Sequence, residues 1–436
     1  MRRLLSISLL LAGGAAARPA AAQIDHGLAR ADFADAERAA RSQERLWPKP
    51  LYGPMLFADR QTRQVVANAP DSAGLLHPDG DLWVGTLPPD QPIYNGAMEW
   101  AGRRWTMLGW PLTAARYDGT RLLTHELFHR IQPSIGLPMS NPDNAHLDEE
   151  IGRVWLRLEW RALQAALAAS GQARVRAVSD ALAFRAYRHA RIPGARVSET
   201  ALELNEGLAE YTGVMAAIPP AARVGWALKV LDSGDAAAVD GTVVRNFAYT
   251  SGPAYGLLLD EAAPGWRVRL RPASDLGAML AAAYHISPDT TDAGVRRRLG
   301  PYAGEVVIQQ EAERSVRRAA VLAGYRKRFF DGPTLTLTGT DKFNYSFDPN
   351  GVVPFGDAGT IYLGMNVTDA WGALDVTGGG VLLARDSAGA RLIAPAPTSP
   401  TTGSLRVDGW ELKLAPGWEL APAQRAGSFV VRRRQE

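Results

Sequence analysis

The chain contains no cysteine in its 436 residues. That absence excludes disulfides, thiolate metal sites, a lipid-modified cysteine and a cysteine nucleophile, so any metal must be held by His, Asp or Glu. Histidine is scarce as well, seven in all, so an ordered pair of them carries weight. An excess of one charge is also missing. The 48 Lys and Arg face 45 Asp and Glu, and Arg2, Arg3 and Arg18 fall in the first 22 residues, which hold no acid; the rest balances at 45 against 45. A neutral chain offers no electrostatic footprint for nucleic acid or for an anionic membrane. No internal repeat is present, and no apolar run reaches the roughly 18 residues that a membrane span requires. What remains is ordinary globular composition, 46% hydrophobic and 21% charged, in a chain long enough for two or three domains.

The first 22 residues read as a secretory leader. Met1-Arg2-Arg3 is a short positive region, Leu4 to Leu11 an apolar one, and Ala20-Ala21-Ala22 before Gln23 a small-residue cleavage site. Arg2-Arg3 lacks the flanking residues of a twin-arginine signal, so general secretion is expected, with a mature protein that is periplasmic or secreted.

Three compositions follow one another along the rest. Residues 23–116 open with a helical pattern from Ile24 to Trp47, stopped by Pro48 and Pro50. Short apolar runs such as Met55-Leu56-Phe57, Gln64-Val65-Val66, Leu82-Trp83-Val84 and Arg104 to Leu108 then predict a twisted antiparallel sheet. Residues 117–330 are rich in Ala, Leu and Arg and predict helices near 120–132, 147–169, 173–191, 198–217, 220–232, 252–262, 274–284 and 302–329. After Asp331-Gly332-Pro333 the chain turns to Thr, Gly and Val in alternating runs, which predicts an all-β domain over 331–436. The fold class expected is α+β.

The most informative stretch is His125-Glu126-Leu127-Phe128-His129, the pattern H-E-x-x-H inside a helix that begins near Asp118 and ends before Pro133. At about 100° per residue, His125 and His129 share one face, while Leu123, Leu127 and Ile131 lie opposite. Two imidazoles one turn apart can chelate Zn²⁺, and Glu126 beside them can take a proton from a metal-activated water. A catalytic zinc needs a third protein ligand. Two candidates stand in the sequence: Glu206, on a helix where Glu199, Glu203, Glu206 and Glu210 share a face, or Asp148 or Glu149, about 20 residues after His129. Four acids on one face read either as a solvated surface or as a face turned to a dication, with Glu210 bonding a ligand imidazole from behind.

With its second helix reading Asn205-Glu206-Gly207-Leu208-Ala209-Glu210, the chain resembles the gluzincin metallopeptidases, the group of thermolysin and the zinc aminopeptidases. The resemblance implies a zincin-like catalytic domain, Glu206 as zinc ligand, Glu210 behind the ligands, and a peptide or protein substrate. The departure is in spacing: Glu206 lies 77 residues after His129 rather than about 20, which a helical hairpin inserted over 147–192 accommodates. Gly96-Ala97-Met98-Glu99-Trp100 is similar to an aminopeptidase motif whose Glu holds the substrate amine, which implies substrate binding by Glu99. It lies in a segment, Ala97 to Leu112, expected to be the sheet's edge strand, open to an extended peptide. Tyr249-Thr250-Ser251-Gly252 resembles the motif whose Tyr steadies the oxyanion, with Tyr255 as a rival. The reading is a zinc peptidase; a zinc hydrolase of a non-peptide cell-envelope amide and an inactive zinc-binding envelope protein are the alternatives.

Overall fold

Asp25 opens the first helix by accepting hydrogen bonds at Oδ1 from the backbone N–H groups of Gly27 and Leu28, at 2.8 and 2.9 Å. In the computed structural model, which describes residues 24–112, 118–348, 351–387, 389–397, 404–407 and 409–434, this helix is α1, His26–Ser42. The expected leader lies outside the described residues. The chain is α+β: an N-terminal sheet, a mainly helical middle and an all-β C-terminal region. No described helix is long and apolar enough to cross a membrane.

The N-terminal sheet is built from β1 (Met55–Asp59), β2 (Gln64–Ala67), β3 (His77–Asp79), β4 (Leu82–Thr86), β5 (Gly96–Trp100) and β6 (Arg103–Trp110), in the order β3-β4-β2-β1-β6-β5. It is mixed, not antiparallel as expected. β6 returns beside β1 after the β2–β5 excursion and runs parallel to it, Met55 opposite Thr106 and Phe57 opposite Leu108. Alternation sends Met55, Phe57, Val66 and Leu108 into the main core, and Leu56, Val65, Trp105 and Met107 into a second core on the other face. The segment from Ala97 to Leu112 is not one edge strand but a hairpin that turns at Ala101 and Gly102, both at positive φ, and only β5 is the edge.

The helical middle comprises α2 (Asp118–Ile131), α3 (Glu150–Ala168), α4 (Gly171–Arg191), α5 (Ala195–Leu202), α6 (Leu208–Ala217), α7 (Arg223–Ala238), α8 (Asn246–Ala262), α9 (Leu276–Ala283), α10 (Asp292–Arg296) and α11 (Gly304–Arg326). A π turn, Glu203–Gly207, joins α5 to α6. The start of α8 differs most from expectation, because Pro253 is inside it rather than at its first turn. Its ring removes the N–H that would bond the Tyr249 carbonyl, yet the helix continues on both sides within the core.

Two glycines let three helices meet. A Cβ on Gly252 of α8 would stand 2.5 Å from the Cα of Gly207 in the π turn, and one on Gly213 of α6 would stand 2.7 Å from the Arg121 carbonyl oxygen on α2. Any side chain at either place would push these backbones apart.

The C-terminal region is a ten-stranded sheet of β7 (Thr334–Thr338), β8 (Asn344–Phe347), β9 (Val352–Pro354), β10 (Thr360–Asp369), β11 (Gly372–Asp386), β12 (Gly389–Pro395), β13 (Ser404–Val407), β14 (Trp410–Leu414), β15 (Trp418–Pro422) and β16 (Phe429–Arg433). It has its own core around Leu337, Met365, Trp371 and Trp410. It is not isolated from the rest: Val352 belongs to the main core, with Phe347 and Tyr362 packed against it.

Candidate metal centre

His125 and His129 sit on α2, which packs between the sheet hairpin and α6, so that every residue from Leu123 to His129 is buried. The helix therefore has no solvated face along this stretch. One turn apart, the two imidazoles place their Nε2 atoms 3.2 Å from each other, and Glu206 Oε2 from the π turn lies 3.4 Å from both. Four donors around one tetrahedral ion at about 2.0–2.1 Å stand about 3.3–3.4 Å apart, so three corners of such a tetrahedron are already in place. Among the described residues this is the one group of three or more acids and histidines arranged to hold an ion.

The outer partners fix which atoms point inward. His125 Nδ1 is 3.0 Å from Glu210 Oε2, and a carboxylate only accepts, so Nδ1 carries a proton and Nε2 is the nitrogen turned to the other two donors. His129 Nδ1 meets Gln132 Oε1 at 2.9 Å, while Gln132 Nε2 donates to the Pro138 carbonyl, which sets the amide orientation and again leaves Nε2 turned inward. Glu206 Oε1 receives Asn205 Nδ2 and Arg245 Nη2, each at 3.2 Å, so Oε2 is the oxygen turned to the imidazoles. Two ring nitrogens and a carboxylate oxygen thus converge in a buried place, where a shared proton or a bound cation satisfies them. Without an ion, a second proton on His125 supplies the positive charge: burial opposes it, but its bonds to Glu206 and Glu210 outweigh this and push its pKa up to about 10, so a metal takes the Nε2 lone pair by displacing that proton. Glu206 is likewise desolvated, and the two imidazoles hold it well below the usual carboxylate range.

Glu126 follows the first histidine and is equally buried, yet its carboxylate makes no hydrogen bond among the described residues. Burial raises its pKa, against the pull of His125 and His129. Tyr249, one residue past the first turn of α8, stacks on the His125 ring at 5.5 Å and donates its hydroxyl to Glu206 Oε2 at 2.5 Å. Burial, then the neighbouring Glu206, push that phenol well above its ordinary range, so the hydroxyl keeps its proton.

Other candidates lie elsewhere. Tyr255 is buried six residues on and donates to Glu159 at 2.7 Å, away from the triad. Asp148 is buried among Arg153, Arg314 and Arg318, and Glu149 is exposed and paired with Arg318 at 3.0 Å; neither joins the histidines. Glu99 is exposed on the edge strand and pairs with Arg104 at 2.9 Å, whose Nε in turn bonds the Arg130 carbonyl at the end of α2. It is near the site helix without entering the triad.

The four-acid face divides. Glu206 and Glu210 turn to the histidines, but Glu199 and Glu203 enter a separate buried network. Glu199 accepts from Arg188 Nη2 at 2.7 Å and meets His146 and His189 at 2.8 and 2.9 Å, while Glu203 takes two bonds from Arg185 at 2.7 and 2.6 Å. The wider π turn between them rotates the later pair away from the earlier one. Gln132, Asn141 and Arg245 are the functional partners that sequence reasoning missed. Gln132 stands three residues after His129, a spacing that could have marked it; nothing local marks the other two.

No protein-family model, characterised protein or solved structure matches this chain.

Proposed function

We propose that the chain is an exported zinc-dependent peptidase, acting at His125, His129 and Glu206. The observation that supports this best is the convergence of two imidazole nitrogens and one carboxylate oxygen at tetrahedral spacing with a free carboxylate alongside. Two nitrogens and one oxygen suit Zn²⁺, and three protein donors leave a coordination position open. When bound, the ion polarises the scissile carbonyl and acidifies water. Glu126 then accepts the proton of the attacking water and delivers it to the leaving amine, a role suited to a buried carboxylate with no competing partner. Glu210 and Gln132 hold the imidazoles in the ligating tautomer. Tyr249 keeps its proton, and with Glu206 Oε2 taken up by an ion its hydroxyl turns from that oxygen to donate to the oxyanion that develops at the carbonyl.

Metal analysis of the purified mature chain tests the reading. One Zn²⁺ per chain is expected, with His125→Ala and His129→Ala each losing most of it, because either change removes half of a chelate. Unchanged zinc in both variants would end it.

A further inference from the structure

Arg245 does two things at once. Its Nη2 donates to Glu206 Oε1 and, at 2.9 Å, to Asn141 Oδ1, while its guanidinium lies 5.3 Å from the centre of the Phe347 ring on β8 of the C-terminal sheet. Asn141 also accepts from Asn205, the neighbour of Glu206, at 3.1 Å. The C-terminal sheet is therefore one side chain away from the triad.

At this seam there is a cavity of about 180 Å³, bounded by Asn141, Asn144 and Arg245 on one side and by Tyr345, Phe347 and Tyr362 on the other. The three rings form one wall: Phe347 and Tyr362 meet edge to face at 4.9 Å, and Tyr345 lies 6.1 and 6.2 Å from them. Val244 and Val352, both in the main core, add apolar surface. An apolar cavity of about 150 Å³ holds a benzene ring, so this space is sized for one large side chain. Its charges favour neither sign, because Arg245 is already paired with Glu206 and the carboxylate of Asp143 stands exposed on the rim, so a charged side chain would give up its hydration there without a full partner.

We infer that this cavity is a substrate subsite that takes one large uncharged side chain, aromatic by preference, and that the C-terminal sheet sets the preference through Tyr345, Phe347 and Tyr362. The inference rests on the peptidase reading for the nature of the ligand. It gives the C-terminal sheet a part in recognition that no motif in its sequence announces.

The test uses the zinc-loaded full chain carrying Glu126→Gln, so that binding is read without turnover. The probes are blocked pentapeptides, acetyl-Ala-Ala-Xaa-Ala-Ala-amide with Xaa as Phe, Leu, Ala, Lys or Glu, followed by ligand-detected NMR, with chitotriose as a sugar control. Phe should bind at least about tenfold more tightly than Ala, Lys or Glu, as ring burial in a fitted pocket implies. Thr360→Trp, which fills the cavity from its half-buried rim, should abolish that preference at unchanged zinc content, and Phe347→Ala should weaken it where Phe347→Leu retains part. Preference for Phe persisting in Thr360→Trp, equal binding of all five peptides, or binding of the sugar in place of the peptides would overturn the inference. If the peptides bind in the expected order and wild type cleaves none, the subsite stands and the peptidase reading falls. If wild type cleaves them without regard to Xaa, the reverse holds.

Discussion

Replacing Glu206 by Gln keeps the shape of the side chain and removes the only full negative charge among the three converging donors. The consequences can be ranked against two neighbours. Glu210 touches the site only through His125, so Glu210→Gln should weaken zinc binding by about 10 to 100-fold, or about 1.4 to 2.7 kcal/mol, the range for groups that orient a ligand from behind. On the proposed reading Glu206 supplies the ligating oxygen itself, so its loss should exceed that range, and at least about 100-fold is expected. Glu149 is exposed and pairs only with Arg318, so Glu149→Gln should leave zinc affinity within about twofold. Because the ion binds the folded chain, a 100-fold loss also removes about 2.7 kcal/mol of metal-dependent stabilisation at fixed free zinc. Competition with a chromophoric chelator gives the affinities, and thermal unfolding with and without zinc gives the second quantity. An equal loss in Glu149→Gln, or none in Glu206→Gln, would show that the third donor has been misassigned.

Gly252→Ala should destabilise the fold by about 1 to 3 kcal/mol and weaken zinc binding with it, since a Cβ 2.5 Å from Gly207 must push the π turn away from α8; denaturant unfolding and the same chelator assay read both. Arg188→Ala leaves Glu199 to His146 and His189 and Glu159 to Tyr255 and Arg185, without the guanidinium that bridges the two acids, and should cost about 3 to 5 kcal/mol in denaturant unfolding, with zinc stoichiometry retained. Glu199 also sets a pH dependence. Burial opposes its charge, but Arg188, His146 and His189 hold its folded pKa well below the ordinary 4.5. A depressed folded pKa contributes stability that is fully present above the unfolded value and is lost as pH falls below it, so wild type should weaken from about pH 4.5 downward and Glu199→Gln should weaken less steeply.

Some of this was legible in the sequence for a simple reason: a two-histidine chelate needs a one-turn spacing, and the pattern of residues 125 to 129 displays it. Glu206 was within reach because its neighbours Asn205 and Glu210 belong to the same helical stretch. The division of the four acids was not, since it depends on Arg185 and Arg188 of α4 and on a π turn, and a wheel drawn at 100° per residue assumes that no such turn intervenes. The direction of β6 against β1 was hidden likewise, because alternation along a strand says which face is buried and nothing about the partner's polarity. Arg245 carries no local mark either; only the folded chain brings it between Glu206 and Phe347.

The account turns on Glu126, which adjoins the first histidine without joining the triad. The most direct measurement compares wild type with Glu126→Gln, both zinc-loaded, on a broad peptide library that includes free and blocked amino termini. Zinc content and unfolding midpoint should match, while peptide hydrolysis falls by about two to four orders of magnitude, the usual scale for a lost general base. Equal hydrolysis by the two proteins, or no cleavage of any peptide by zinc-loaded wild type, would contradict it.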